Sequence, residues 1–256
     1  MTKTSLLDLL AEVQRGAVSP EHATERLANL PFESIGDTHP EARIDHHRAL
    51  RSGLPEVIYA AGKTPEQTAA IFARMSAAGH DVLATRADAA TAEAVLLQTP
   101  AAIYHQPARA ISLRQSPPSP PRGRIAVLCA GTSDLPVAEE AAVTADLFNT
   151  EVLRLYDVGV AGVHRLLAVR PQLATAHAVI VCAGMEGALP SVVGGLVGVP
   201  VIAVPTSVGY GASFAGAAAL LGMLNSCSPN VTVVNIDNGF GAAFTATLIA
   251  RATHRP

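Results

Sequence analysis

Charge is scarce in this sequence of 256 residues. Asp, Glu, Lys and Arg make up only 15% of it, whereas about 25% is usual for a globular domain, and 49% of the residues are hydrophobic. A chain of this composition is too apolar to stay disordered, so we expect a folded protein with a sizeable core. Because so little charge is left for the surface, we also expect part of that surface to be buried in a homo-oligomer.

Basic clusters and close cysteine pairs are also missing. The formal net charge is -3, and no run of Lys and Arg offers a surface for nucleic acid, so nucleic acid is not expected as a partner. The three cysteines cannot all pair and show no C-x-x-C spacing, which indicates a reducing compartment. The first residues, MTKTSLLDLLAEVQRG, lack the continuous apolar core of a secretory signal, so we expect a cytoplasmic protein.

One long segment has no charge at all, from Gly187 to Ile236. Hydropathy alone would suggest a membrane span there. Pro190, Pro200 and Pro205 interrupt the segment, however, and β-branched runs such as Val199–Val204 alternate with alanine-rich stretches. This alternation is typical of buried parallel strands and their covering helices, so no membrane is expected.

A proline-rich stretch, SPPSPPRG, divides the chain, because consecutive prolines continue neither a helix nor a central strand. We therefore predict an N-terminal domain at residues 1–114, a linker at 115–123 and a second domain at 124–256. The first domain is predicted to open with two helices, Leu6–Val13 and Pro20–Leu30. A small βαβαβ unit is predicted to follow, with strands at Glu56–Ala60, Asp81–Thr85 and Ala101–Tyr104, and with helices at Thr64–Ala78 and Asp88–Gln98.

The second domain alternates strands and helices more regularly. Strands are predicted at Arg124–Cys129, Glu151–Tyr156, Ala178–Ala183, Val199–Val204 and Val231–Ile236. Helices are predicted at about Leu135–Asn149, Gly162–Ala168, Leu189–Leu196, Ala212–Asn225 and Phe240–Ala252. Five strands each followed by a helix predict an α/β fold with a doubly wound parallel sheet in three αβα layers. Ligands of such sheets bind beyond the carboxyl ends of the strands.

The loop after the first of these strands is small and polar. Gly131, Thr132, Ser133 and Asp134 lead into a helix N-terminus, where amides and hydroxyls form a natural phosphate cradle. Helix capping by Ser133 or Asp134 is the structural alternative.

The loop after the second strand offers two further groups, Asp157 and His164. An imidazole can act as an acid or base or can contact phosphate, and it can equally be structural.

Glu186 lies in the loop after the third strand, behind Gly184 and Met185. A carboxylate set among glycines at the start of an uncharged run is expected to be poorly solvated, which suits general acid–base catalysis; a capping role is the alternative.

The loop after the fourth strand contains Ser207, Gly209, Tyr210 and Gly211, and could close around an uncharged ring or a phosphate. No Walker lysine and no G-x-G-x-x-G pattern occurs, so neither ATP hydrolysis nor hydride transfer is favoured.

The three cysteines differ in their predicted positions. Cys129 and Cys182 fall inside apolar strands and are predicted to be core residues. Cys227 lies between a helix and the last strand, which makes it the candidate nucleophile. Its loop leads into the amino end of that strand, so an oligomer would have to bring it to a neighbouring pocket. Asp237, at the other end of the same strand, is either a site carboxylate or a helix cap.

Several segments resemble the LarB family, which begins the assembly of the nickel-pincer nucleotide cofactor: GTSDLPVAEEA, YDVGVAGVHRLL, AGMEGALPSVVGGL, PVIAVPTSVGYGASFAGAAALLGMLNSC and VVNIDNGFGAA. The N-terminal part resembles the same family at Asp45, Arg48, Arg51 and the segment Gly53–Lys63. The second domain is also similar to PurE, an aminoimidazole ribonucleotide carboxylase, in the Gly131–Asp134 loop and the turn at Ala188–Pro190.

This resemblance implies a carboxylase and hydrolase of nicotinic acid adenine dinucleotide. Carbon dioxide is the implied co-substrate, a divalent ion such as Mg²⁺ is the implied cofactor, and a homo-oligomer, an octamer in the manner of PurE, is the implied assembly. By family match Cys227 forms a covalent ring adduct, Glu186 acts as the base or binds carbon dioxide, and Asp134 with Ser133 holds the phosphoribosyl part. Substrate contacts are expected from Gly131, Thr132, Ser133, Asp157, His164, Gly184, Met185, Ser207, Gly209, Tyr210 and Gly211; metal ligands are not identified. A PurE-type carboxylase and a nucleotide-binding module without turnover are the alternatives.

Overall fold

A computed structural model describes residues 3–28, 32–35, 42–117 and 119–253. The chain forms two compact units. The first unit contains Met1–Tyr104 and Ile111–Pro117, and the second contains His105–Ala110 and Pro118–Pro256.

The first unit begins with helices and ends in a small sheet. Its elements are α1 (Lys3–Gln14), α2 (Pro20–Ala28), β1 (Glu33–Ile35), β2 (Ala42–Ile44), α3 (Arg48–Ser52), β3 (Ile58–Tyr59), α4 (Pro65–Ala77), β4 (Val82–Thr85), α5 (Ala89–Gln98), β5 (Ile103–His105) and β6 (Ala110–Leu113). β1 and β2 form an antiparallel pair, and the other strands form a sheet in the order β3-β4-β6-β5. Residues 29 and 30, at the end of the second predicted helix, lie outside the described residues.

Local sequence signals explain α4 well. The Thr64 hydroxyl accepts a hydrogen bond from the Gln67 amide, and the Gln67 side chain accepts one from the Thr64 amide, which is the predicted capping box. The prediction of a simple βαβαβ unit is wrong in one respect. β6 inserts between β4 and β5 and pairs antiparallel with β4. Its four residues are all buried, but they directly precede the proline-rich stretch, and this concealed the strand.

The second unit is an open, fully parallel sheet. Its elements are β7 (Arg124–Cys129), α6 (Leu135–Leu147), β8 (Glu151–Leu155), α7 (Val163–Leu173), β9 (Ala178–Ala183), α8 (Leu189–Gly194), β10 (Val201–Pro205), α9 (Ala217–Leu224), β11 (Val231–Val233) and α10 (Gly239–Thr253). The strand order is β11-β10-β9-β7-β8, and the predicted doubly wound fold is confirmed. Short 3₁₀ turns precede α6, α7 and α9.

Two apolar clusters cover the faces of this sheet, because alternate strand residues point to opposite sides. Alanines of α6 and α10 pack on one face, and α7, α8 and α9 pack on the other. Cys129 and Cys182 are fully buried in the first cluster, as predicted, and burial raises the pKa of the Cys129 thiol to about 11. Both sheet faces are therefore closed, and ligand access is left to the strand ends.

The predicted absence of a membrane span agrees with this packing. Within the described parts of the chain, no helix has the length and apolar character needed to cross a bilayer. The uncharged segment folds instead as α8, β10, α9 and β11.

The strand order also locates a crevice. The sheet reverses its direction of winding between β7 and β9, and in open α/β sheets the crevice beyond the carboxyl ends of such strands is where ligands bind. The loops after β7 and β9 contain the predicted residues Asp134 and Glu186.

Candidate active site

Asp134 is the buried polar centre of this crevice, with only 4% of its surface exposed. Its Oδ2 accepts a hydrogen bond of 2.9 Å from the Gly131 amide, and its Oδ1 accepts one of 2.6 Å from the Thr206 hydroxyl. The backbone of Gly184 also donates to this carboxylate. Burial raises the pKa of Asp134, although these hydrogen bonds lower it in part. Asp134 does not cap α6; it joins the loops after β7, β9 and β10.

Thr132 and Ser133 lie beside Asp134 in the 3₁₀ turn before α6, and both are exposed. Their position leaves hydroxyls and the N-terminus of a 13-residue helix open to a ligand at the crevice. The neighbouring loop approaches closely, since the Gly159 amide donates to the Ala130 carbonyl and a Cβ at Gly159 would lie 2.7 Å from that oxygen. This arrangement suits the phosphate cradle that the sequence predicts.

The turn after β9 depends on glycine at position 184. A Cβ there would lie 2.3 Å from the Val208 carbonyl oxygen and 2.8 Å from the Thr206 hydroxyl. The next residue, Met185, has a φ of 53° and donates its amide to the Val208 carbonyl at 2.9 Å. The loops after β9 and β10 are therefore joined backbone to backbone.

Glu186 follows in the same turn, and its side chain is exposed. The expectation that this carboxylate is poorly solvated is wrong for the single chain, because Met185 and Glu186 are both exposed in this turn. Its backbone is nevertheless fixed: a Cβ at Gly222 of α9 would lie 2.7 Å from the Glu186 carbonyl oxygen. Glu186 is thus an accessible carboxylate on a turn supported by α9.

The loop after β10 contains the remaining predicted contacts. The Ser207 amide donates to Asp237 Oδ1 at 2.8 Å, and the Asp237 amide donates to the Pro205 carbonyl at 2.8 Å, so Asp237 fixes this loop. Gly209 and Gly211 both have positive φ, 152° and 53°, and Tyr210 between them is 81% exposed.

The loop after β8 reveals a residue that the sequence analysis missed. Asp157 has a φ of 57° and pairs with Arg165 in the first turn of α7, at 2.6 Å. His164, the residue before Arg165, is exposed. A guanidinium beside the crevice suits a phosphate group better than an imidazole does. The sequence did contain a signal for this residue, because Arg165 directly follows the predicted residue His164.

Cys227 is the exposed cysteine, on the loop between α9 and β11. The hydroxyls of Ser226 and Ser191 are 2.7 Å apart, and the Ser228 hydroxyl donates to the Ser191 carbonyl at 2.8 Å. Ser191 is the third residue of α8, and α8 begins three residues after Glu186. The sequence places the Cys227 loop at the amino end of β11; the structure adds that this loop is anchored on the helix that follows the Glu186 turn.

A pre-built metal site is not found in the part of the chain that the structure describes. No group of three or more His, Cys, Asp or Glu side chains there is arranged to hold an ion.

Fold and site together define a doubly wound parallel-sheet domain with a polar crevice at its switch point, preceded by a smaller α/β unit. Residues 124–255 match the model of the AIR carboxylase family, and residues 32–115 match the LarB/PurE-like N-terminal domain. The chain belongs to the AIR carboxylase family, and its two domains together match the LarB architecture. An uncharacterized protein of Methanocaldococcus jannaschii is 36% identical to it over 259 residues, which cover 98% of this chain and 99% of that protein. These findings support a carboxylase-type function.

Proposed function

We propose that this protein carboxylates the nicotinate ring of nicotinic acid adenine dinucleotide at C5 and hydrolyses its phosphoanhydride, giving pyridinium-3,5-biscarboxylic acid mononucleotide and AMP. One observation carries the proposal: the exposed thiol of Cys227 lies on a loop anchored to α8, the helix that follows the Glu186 turn. The LarB domain pair supports the same assignment.

A thiol is needed because a pyridinium ring is electron-poor and does not attack carbon dioxide. Addition of the Cys227 thiolate to the ring forms a C–S bond and makes the ring a neutral enamine, whose C5 is nucleophilic. C5 then bonds to carbon dioxide, the co-substrate. Loss of the C5 proton and expulsion of the thiolate restore the aromatic ring. Glu186, an accessible carboxylate on the turn before α8, is our proposed base for that proton.

The phosphates are proposed to bind at the turn before α6, where Thr132 and Ser133 are exposed beside the Gly131 backbone. Arg165, paired with Asp157, and His164 extend this proposed phosphate site toward β8. A divalent ion such as Mg²⁺, the expected cofactor, would offset the negative charge of the substrate phosphates during hydrolysis. Asp134 holds the three loops in register and, with Ser133, positions the phosphoribosyl group.

We further propose that the active form is a homo-oligomer, with the PurE-like octamer as the expected size. Leu221 and Leu224 of α9 are 65% and 62% exposed, within the uncharged segment, and apolar exposure of this kind is typical of surfaces buried by a partner. Mass measurement in solution tests this assembly. A monomer at micromolar concentration would contradict it.

The direct test is incubation with nicotinic acid adenine dinucleotide, bicarbonate and Mg²⁺. We expect release of AMP and a mononucleotide heavier by one carboxylate. A Cys227→Ser protein should lose carboxylation, and a Ser226→Thr protein, which keeps a hydroxyl beside Ser191, serves as the matched control in the same loop. Wild-type protein that leaves the dinucleotide unchanged contradicts the proposal.

The match of residues 124–255 to AIR carboxylases favours one alternative substrate, aminoimidazole ribonucleotide. Parallel assays with the two substrates separate the candidates. Turnover of aminoimidazole ribonucleotide that persists in Cys227→Ser would favour the alternative, because that carboxylation needs no thiol adduct. Binding of either compound without turnover would favour a nucleotide-binding module.

A further inference from the structure

Two aromatic side chains are unusually exposed on the loop that follows β10. Tyr210 is 81% exposed and Phe214 is 76% exposed, at the same edge of the sheet as Asp134. Exposed aromatic rings beside a polar crevice are a common way of providing a binding surface for a flat ligand.

The backbone at Phe214 and directly after it is strained. Phe214 and Ala215 have φ values of 44° and 51°, a region that L residues rarely adopt. The segment is also fixed at its ends: Thr206 donates to Asp134, and a Cβ at Gly216 would lie 2.7 Å from the Thr206 carbonyl oxygen. Backbone strain that the surroundings impose in this way concentrates at ligand sites. Here its effect is to hold two aromatic side chains on the outside of one tight turn.

This turn adjoins the Glu186 turn. The Met185 amide donates to the Val208 carbonyl at 2.9 Å, and a Cβ at Gly209 would lie 3.7 Å from the Met185 sulfur. Met185 itself is 44% exposed. The aromatic turn and the accessible carboxylate therefore border the same part of the crevice edge.

We propose that Tyr210 and Phe214 bind the nicotinate ring of the substrate and select it by its positive charge. This inference rests on the proposed function, since it names the residues that hold the ring while C5 reacts. The faces of aromatic side chains attract cations, and a pyridinium is both flat and cationic. A reduced, neutral dihydropyridine has the same size without the charge, so the two rings separate charge recognition from shape.

The test measures the affinity of a Cys227→Ser protein for the oxidised and the reduced forms of nicotinamide adenine dinucleotide by calorimetry, so that no covalent adduct contributes. We expect the oxidised form to bind more tightly. Adding Tyr210→Leu or Phe214→Leu keeps an apolar side chain and removes the aromatic face, and each change should reduce the preference about 3- to 10-fold. Tyr210→Phe keeps the face and should keep the preference.

Three results would overturn the inference. Equal loss of affinity for both forms would mean that the aromatic residues hold the adenine or only add apolar area. If either leucine variant keeps the preference for the oxidised form but has a changed molecular mass in solution, the aromatic surface joins copies of the chain instead. If the wild-type protein releases AMP normally but binding shows no preference for the charged ring, this inference is wrong and the proposed function stands. If the charged ring is preferred but no AMP is released, only the proposed function is wrong.

Discussion

The Thr206 hydroxyl donates a 2.6 Å hydrogen bond to the buried carboxylate of Asp134, 72 positions earlier in the chain. This bond joins the loop after β10 to the loop before α6, across the intervening strand β9. Because it stabilises the charged form of the carboxylate, it opposes the rise in the Asp134 pKa that burial causes.

Replacing Thr206 by Val should therefore raise the pKa of Asp134 further. If the ionised carboxylate is the active form, the acidic limb of the pH profile of kcat/KM moves to higher pH, and the unfolding free energy falls by about 1–2 kcal/mol because a buried acceptor loses its donor. The profile and a denaturant titration measure the two effects. Thr206→Ser keeps the hydroxyl and should resemble wild type. An unmoved acidic limb in the Val protein would show that Asp134 does not control it.

Gly184→Ala should disable the site more than its small size suggests. The new methyl group would lie 2.3 Å from a backbone oxygen of Val208, so the loops after β9 and β10 must separate, and with them the partners of Asp134. We expect activity to fall at least tenfold. Gly198→Ala is the matched control, since a Cβ there meets nothing within 4 Å and should leave activity within about twofold. Equal activity of the two variants would disprove the close approach.

Thiol labelling distinguishes the cysteines. Cys227 is exposed, whereas Cys129 and Cys182 are buried, and burial raises the pKa of Cys182 well above its ordinary value, as it does for Cys129. We expect a thiol reagent to modify one cysteine per native chain and three after denaturation, with Cys227 identified by peptide mass. Bound dinucleotide should slow the native reaction. Rapid modification of two or three thiols in folded protein would contradict the buried positions.

The first unit should lose stability in mild acid because of His80. Its ring nitrogen lies 2.8 Å from His46, whose other nitrogen is 2.9 Å from Glu33, and burial lowers the pKa of His80 from 6.5 to about 4. As pH falls from 6.5 to 4, the unfolded chain takes up a proton that the folded chain does not, so stability falls over that window; because solvent screens this partly exposed ring, the loss is on the order of 2 kcal/mol. Above pH 6.5 the ring is neutral in both the folded and the unfolded chain, so His80 does not make stability depend on pH there.

Thermal unfolding between pH 4 and 7 tests this effect by comparison with His80→Gln, whose amide can still donate to His46. The variant should show a shallower pH dependence over the window. Glu33 does not affect this comparison of pH dependence. Its Arg74 partner lowers the pKa of Glu33 below 4.5, so the effect of Glu33 on stability appears in more acidic solution. Identical pH dependence of the two proteins would exclude His80 as the source.

Regular alternation made the second domain predictable. Each of its five strands was found, because runs such as residues 125–129 are apolar throughout and fully buried, as expected of strands covered on both faces. The start of α9 was predicted at Ala212 but lies at Ala217, since the left-handed backbone of Phe214 and Ala215 interrupts the helix. Alanine-rich sequence favours a helix there, and only the tertiary position of the turn opposes it.

The site was predictable as a set of loops, but its internal contacts were not. The predicted strand ends indicated the loops of Asp134 and Glu186, because parallel strands bring their carboxyl ends to the same edge of the sheet. The role of Asp134 as a junction depends on Thr206, 72 positions away, and no local pattern reports such a bond. The exposure of Glu186 was missed for a similar reason, since the uncharged residues that follow it in sequence pack beneath its turn.

The short helix α8 acts as a common support. The turn before it carries the Glu186 carboxylate, and its third residue, Ser191, holds the two serines on either side of Cys227. A small tilt of this one helix would displace the Glu186 carboxylate and the Cys227 thiol in concert, so a contact that moves α8 would adjust both of the groups proposed to react.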